Sequence, residues 1–291
     1  MNRIAAAVLA ASLAAPLAAQ ELLPNTLPCA QGNTLLTGVL WMQKSAEYKA
    51  VSMQAYAAAR RTVETAMRVK MASKLPAAVI LDLDETAILN VDFEVDAVRS
   101  GVGYDRAMWE AWTARGEAAA VPGAKEFLTN LPKGVTPFYV TNRKLKEQAG
   151  TRKNVENLGY PVVAVADPDD PAADNLLMRG EKAAWEDDKT SRREWVAQRY
   201  RVLALIGDDL NDFTSATNLT TAERDAILTS TAAEWGTRWF ILPNPLYGSW
   251  HKAMLADELR KDPSVKDPNA AAGALRGCQE LQLKFDALGK K

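Results

Sequence analysis

The chain has 291 residues, 48% of them hydrophobic and 24% charged, enough for one large domain or a domain with a cap. Lys and Arg number 35 and Asp and Glu 36, a net charge of −1 that excludes the basic excess of a dedicated nucleic-acid binder.

The chain opens MNRIAAAVLAASLAAPLAAQ. Arg3 supplies a positive n-region and residues 4–15 an apolar stretch too short to cross a bilayer, with cleavage expected between Ala19 and Gln20. Residues 1–19 therefore read as a secretory signal, and the expected location is periplasmic and soluble. Cys29 follows Pro28, which fits a lipid-attachment site badly, and no other stretch is long and apolar enough for a membrane span. Cys29 and Cys278 are the two cysteines; in an oxidising compartment they read as one disulfide joining the ends or as two unpaired thiols.

Residues 20–75 form an N-terminal segment, in which 33–74 has few breakers and reads as two helices or one long one. From Pro76 the pattern alternates. Apolar β-rich runs occur at 78–81, 137–140, 162–166, 202–206 and 239–242. Helical stretches at 107–115, 123–131, 146–158, 191–199 and 221–226 separate most of them. Repeated strand and helix predict an α/β fold, a doubly wound, Rossmann-like parallel sheet. The core is expected over 76–250, with a small, mostly helical cap insert at about 91–120. A polar linker at 260–273 leads into a last short helix, within a C-terminal helical tail of 251–291.

Ligands of such sheets sit beyond the carboxyl ends of the strands. The first strand runs into Asp82 and Asp84, whose side chains leave one face if strand periodicity continues. Thr141, Asn142 and Arg143 follow the second run, Lys189 precedes a helix, and Gly207-Asp208-Asp209-Leu210-Asn211-Asp212 follows Ile206. Each piece alone has a plainer reading: Asp84 as a helix N-cap, TNR as a turn, Lys189 as a surface lysine. The only histidine, His251, leaves no histidine-based phosphate or zinc site. Neither cysteine begins a C-x₅-R loop, and no G-x-x-x-x-G-K-[ST] loop occurs.

In order, DLDET, TNR, Lys189 and GDDLNDF resemble the four motifs of the haloacid-dehalogenase superfamily, and most closely its class C acid phosphatases, which include outer-membrane lipoprotein 5′-nucleotidases. Val121-Pro122-Gly123-Ala124 and the segment ILPNPLYGSW at 241–250 are similar to that branch as well, so the resemblance spans roughly 78–250. Asp209 stands where the branch often has Asn, and the lipid-attachment motif is missing. The resemblance implies an exported, Mg²⁺-dependent acid phosphatase acting on nucleoside 5′-monophosphates and similar phosphomonoesters. Asp82 would be the nucleophile and Asp84 the acid and base. Thr141, with nearby backbone N–H groups, would hold the phosphoryl oxygens. The metal would lie on the Asp82 carboxylate, the Asp84 carbonyl and Asp208, with Asp212 holding a water of the metal or orienting Lys189. Asn142 and Arg143 would contact substrate, and Tyr104 and Tyr247 would stack on the base. Trp109 and Trp112, three residues apart, read as core. A non-catalytic nucleotide-binding module and a phosphotransferase are the alternatives. The expected partner is the small substrate, with a homodimer left open.

Overall fold

The computed structural model describes residues 34–69, 74–162 and 174–288. The expected signal segment, Cys29 and residues 163–166 of an expected strand lie outside the described residues.

The centre of the molecule is β1, Ala77–Leu81. Ala77, Val79 and Leu81 enter one apolar cluster, while Ala78 and Ile80 enter a second. That two-residue period marks a strand packed on both faces. β1 pairs in parallel with β4 (Val135–Lys144) and β6 (Arg201–Gly207). β5 (Leu176–Arg179) and β7 (Trp239–Ile241) complete the order β5-β4-β1-β6-β7, all parallel. The chain thus winds outward from β1 through β4 to β5, then crosses back to β6 and β7. The reversal beside β1 is where doubly wound sheets hold their ligands. The expected α/β class and doubly wound parallel sheet are both found.

Ser45 divides the N-terminal helical segment into α1 (Leu36–Lys44) and α2 (Ala46–Arg68). Its backbone is extended and its hydroxyl accepts from Tyr48 N at 3.0 Å, an N-cap. α2 lies on the first face, burying Tyr56, Ala59 and Val63 with Phe127 and Leu128 of α5 (Ala124–Thr129). The Tyr56 hydroxyl donates to Thr86 O at 2.7 Å, so α2 also buttresses the loop after β1. Gly123 at the start of α5 has φ 91°, and a Cβ there would meet Met53 and Tyr56 at 3.2 Å. The VPGA segment is where α5 and α2 touch.

β2 (Ile88–Leu89) pairs antiparallel with β3 (Ala119–Ala120), closing the base of the insert that carries α3 (Val91–Ser100) and α4 (Arg106–Arg115). α6 (Gln148–Asn157) packs against α4, and α7 (Thr190–Ala197) covers the second face of the sheet through Trp195 and Val196. Beyond α8 (Thr221–Ser230), the helices α9 (Ser249–Leu259), α10 (Pro268–Ala274) and α11 (Gly277–Ala287) pack on one another around Leu255, Ala256 and Ala272.

Several elements differ from the expected runs. β5 was not anticipated, because Leu176, Leu177 and Met178 lack β-branching and become strand by pairing with β4. α3 lies within the expected helical cap and α9 largely within the expected helical tail, though neither is named as a separate run. Part of the expected linker at 260–273 is helix α10, which Asp267 caps by accepting from Ala270 N and Pro268 opens at the first position.

Candidate active site

Asp82 follows β1, and its N–H donates to Ile206 O, which holds it against β6. Lys189 precedes α7 and donates to Asp82 Oδ1 at 2.5 Å and Asp212 Oδ1 at 2.6 Å. Asp212 Oδ2 accepts from the backbone N–H groups of Asp208 and Asp209 at 3.1 and 3.0 Å. Gly207 makes this turn possible: a Cβ there would lie 2.3 Å from the Asp212 side chain. Asp208 is held by Thr86 Oγ1 at 3.2 Å and Asn244 Nδ2 at 2.8 Å. Carboxylate oxygens of Asp82, Asp208 and Asp212 all lie within 4.8 Å of one another.

One buried ammonium thus faces three carboxylates. Burial pushes Asp82 up to about 7; Lys189 opposes this, while Asp212 and Asp84 add to it. Burial, then Asp212 and Asp82, push Asp208 well above the usual carboxylate range. Burial acts to lower Lys189, but the Asp212 and Asp82 carboxylates outweigh it and hold the ammonium above its ordinary value. The cluster is short of positive charge.

Asp84 faces a different set of partners. β1 has ended at Leu81, and Asp84 forms an isolated bridge with Ile88, so strand periodicity no longer sets its direction. Arg143 grips its carboxylate through Nε (2.9 Å to Oδ1, 3.2 Å to Oδ2) and Nη2 (2.7 Å to Oδ1). Asn90 Nδ2 donates to the same Oδ1 at 2.8 Å. Asn90 is fully buried; its Oδ1 accepts from Trp112 Nε1 at 2.9 Å and Arg143 Nη2 at 3.2 Å. Its backbone N–H donates to Glu85 Oε1 at 2.8 Å. Glu85 is the single non-glycine residue with positive φ, 53°, among the described residues. The turn that aims Asp84 is therefore strained, and the Glu85–Asn90 bonds hold it.

Thr141, Asn142 and Arg143 lie inside β4, at a register irregularity between Thr141 and Lys144. Such bulges re-aim side chains at sheet ends. The Thr141 hydroxyl accepts from Arg143 N at 3.1 Å, and its carbonyl accepts from Arg192 Nη1 at 2.5 Å. Asn142 Oδ1 accepts from Arg192 Nη2 at 2.6 Å, and its Nδ2 donates to Asp187 O at 2.9 Å.

Two cavities meet here. One, of about 360 Å³, is lined by Asp82, Asp84, Asn142, Lys189 and Asp208. The other, of about 600 Å³, is lined by Glu94, Tyr104, Trp109, Arg143 and residues of the C-terminal helices. Asp84, Asn142, Tyr247, Gly248 and Lys252 border both. Tyr104 is 48% exposed, with Phe93 and Trp109 each 6.3 Å behind it. Trp112 is core, as expected; Trp109 packs edge-on to Phe93 yet also borders the larger cavity. His251 lies on that wall beside Glu280, at 3.4 Å.

Residues 1–250 match the model of the HAD superfamily, subfamily IIIB (Acid phosphatase). The chain belongs to this family. It is an acid phosphatase of class C. The structure of the class C acid phosphatase from Bacillus anthracis is similar to it at 28% identity with a TM-score of 0.72, over 90% of this chain and 99% of that one. The same enzyme with tungstate bound aligns at 27% identity and 0.71 over the same shares.

The donor set of this phosphatase fits a divalent cation. Three carboxylates converge with one lysine, and Asp208 is oriented by neutral donors that leave its charge unanswered. Asp212 spends both oxygens on Lys189 and the turn amides, which makes it a support for the lysine more than a ligand. Asp209 accepts from Ser249 N and Ser249 Oγ, both at 2.5 Å, so its charge sits at the N-terminus of α9. That is what the departure from Asn does in this chain. Asn90, Asn244, Thr86 and Arg192 were missed from sequence. Asn90 and Thr86 lie just after the first motif, and Asn244 lies within ILPNPLYGSW. Arg192, one helical turn after Lys189, carried no signal.

Proposed function

We propose that this acid phosphatase hydrolyses nucleoside 5′-monophosphates through an aspartyl phosphate on Asp82. The observation that carries this reading is the junction of the two cavities. The carboxylate pocket opens, across Asp84 and Tyr247, into a larger aromatic-walled space sized for a nucleoside. Tungstate bound to the Bacillus anthracis relative is an oxyanion, which supports a phosphate site in the smaller pocket.

Asp82 Oδ2, the oxygen not bonded by Lys189, attacks phosphorus as the bond to the leaving oxygen breaks. Lys189 keeps Asp82 ionised. Asp84 delivers a proton to the leaving alkoxide. Its Oδ1 takes three hydrogen bonds and Oδ2 one long one, so Oδ2 is the oxygen that carries the proton. The resulting carboxylate then takes a proton from water, which attacks phosphorus, expels Asp82 and leaves inorganic phosphate. Asp82, the Asp84 carbonyl and Asp208 would hold Mg²⁺, which supplies charge neutralisation for the doubly negative ester. Arg143 acts on substrate through Asp84, since its guanidinium is committed to Asp84, Asn90 and Thr151. Asn142 borders the phosphate pocket with Thr141 fully buried beneath it, which leaves the Thr141 hydroxyl on Arg143 N and not on the phosphoryl oxygens, and Tyr104 and Tyr247 stack on the base.

Export as a soluble periplasmic protein belongs to the same reading. No helix among the described residues is long and apolar enough to cross a membrane. Cys278 is disulfide-bonded, and Cys29 is the other cysteine of the sequence. Non-reducing peptide mapping is expected to recover the Cys29–Cys278 bridge. The deciding experiment for substrate is a panel of nucleotides, glycerol phosphate and sugar phosphates, assayed with Mg²⁺ and with chelator. Nucleoside monophosphates are expected to give the highest kcat/KM, and only with the cation; equal turnover of all esters would reject the nucleotide assignment.

A further inference from the structure

The larger cavity holds an acidic side chain that the protein does not answer. Glu94 sits in the first turn of α3, is 6% exposed, and lines the cavity with Tyr104, Trp109 and Tyr247. No hydrogen bond or ion pair reaches its carboxyl among the described residues. Burial acts on it without an opposing charge and pushes it up to about 7. Its charge in turn adds to the raising of Glu85.

A structural role does not account for this placement. Val91, Phe93 and Ala97 fill the buried side of α3 with apolar atoms. Asp92 already places an exposed acid in the first turn, where the helix dipole favours one. A hydrophobic residue at position 94 would bury without cost, whereas a carboxyl there is largely desolvated at the cavity wall and gains no protein partner. Polar groups aimed without a partner into a ligand cavity are satisfied by the ligand.

We propose that Glu94 reads the leaving group, accepting a hydrogen bond from an N–H on the six-membered ring edge of a base held by Tyr104 and Tyr247. This rests on the nucleotide reading above. The carboxyl accepts from the amino group of adenine or the ring N–H of guanine and hypoxanthine. When it carries its own proton, it also donates to the adjacent ring nitrogen or carbonyl oxygen. Stacking accepts any base, because every base has a π-face. Once ionised, a buried carboxylate rejects a base without a donor, because it is then left unpaired, so the comparison below is made near pH 8, above the titration of Glu94.

The test compares AMP and IMP with the 5′-monophosphate of unsubstituted purine riboside, which stacks but has no N–H on that edge. In the wild-type enzyme, kcat/KM for AMP and IMP should exceed that for the purine compound by about tenfold, the value of one such hydrogen bond. In Glu94→Met the ratio should fall toward one, and in Glu94→Gln, which keeps an acceptor, it should largely survive. Ratios within one enzyme cancel any general loss of activity or folding. A wild-type ratio near one overturns the proposal with no variant needed, as does a ratio unchanged in Glu94→Met. Failure of the stacking reading looks different: the purine compound would then be turned over no better than glycerol phosphate.

Discussion

Lys189 donates to Asp82 Oδ1 at 2.5 Å, with both side chains less than a tenth exposed. Asp82 is otherwise surrounded by conditions that protonate it: burial, Asp212 and Asp84. On the proposed mechanism a protonated carboxyl would be a poor nucleophile, and the lysine would sustain the reactive form. Lys189→Met should lower kcat by at least about 10²–10³-fold, the range for removing a group that stabilises charge in a dry site. It should also cost roughly 3–5 kcal/mol of stability, because a buried carboxylate loses its partner. Steady-state kinetics and urea unfolding of the same preparation read both. Activity within tenfold of wild type would show that Asp82 needs no lysine.

The charge deficit around Asp82, Asp208 and Asp212 predicts that a divalent cation stabilises the fold as well as supporting turnover. Chelation should abolish activity and Mg²⁺ restore it. Mg²⁺ at about a hundredfold over its dissociation constant should add about 2.7 kcal/mol to the wild type and far less to Asp208→Asn. The sign with pH follows from the raised carboxylates. They must release protons to take the cation, so its stabilising effect should grow as pH rises. Full turnover by chelated enzyme would remove the cation from the reading.

The parts of this site that were legible in sequence are those that follow strong strands. Val79, Ile80 and Leu81, and Leu203 to Ile206, are continuous apolar runs, so the sequence alone places the carboxylates after them at strand ends. The Asn90 hub was not legible, because its partners Trp112 and Arg143 stand 22 and 53 positions away and only the cap packing and the β4 irregularity bring them in. Arg143 read as a substrate contact for the same reason: TNR names the residues but not the bulge that turns the guanidinium onto Asp84. Glu94 was invisible for a different reason, since an acid in a first helical turn has an ordinary explanation.

Asp84 is expected to matter in proportion to how badly the leaving group needs a proton. Asp84→Asn should slow p-nitrophenyl phosphate, whose leaving group departs unaided, much less than a nucleoside or glycerol phosphate. Arg143→Lys should reproduce part of that pattern, because a point charge cannot replace the fork that grips both Asp84 oxygens. Equal losses across leaving groups would assign Asp84 to binding instead of proton transfer.

Glu94 gives a stability test with a defined sign. Its carboxyl is raised from 4.5 to about 7 in the folded protein. Between those values the folded state keeps the proton and the unfolded state has lost it. Its favourable contribution is therefore complete below about 4.5 and is lost as pH rises through about 7, a change on the order of 3 kcal/mol. Glu94→Gln removes that dependence. The gap in urea midpoint between Glu94→Gln and wild type should widen in the variant's favour from about pH 5 to about pH 8, with chelator in both buffers. The raised Asp82 and Asp208 are common to the two proteins and cancel. A gap constant with pH would mean that the Glu94 carboxyl is not desolvated in solution.

Tyr247 borders both cavities, where the carboxylate pocket meets the larger space proposed for the leaving group. Tyr104 faces the same space with nearly half its surface exposed and two aromatic rings behind it. An aromatic left this open is not needed by the core. Tyr104→Ala should cost little stability, within the roughly 0.5 kcal/mol typical of surface changes. Stacking between the two rings is worth about 1–3 kcal/mol per base. Tyr247→Ala should therefore raise KM for nucleoside monophosphates about tenfold to a hundredfold, while KM for glycerol phosphate, which has nothing to stack, changes far less. The difference between the two substrates carries the test, because loss of the Tyr247 backbone contact with Trp250 or of local packing would weaken both alike. Should both KM values rise by the same factor, Tyr247 is shaping the phosphate pocket, and the base must be held by other walls of the cavity.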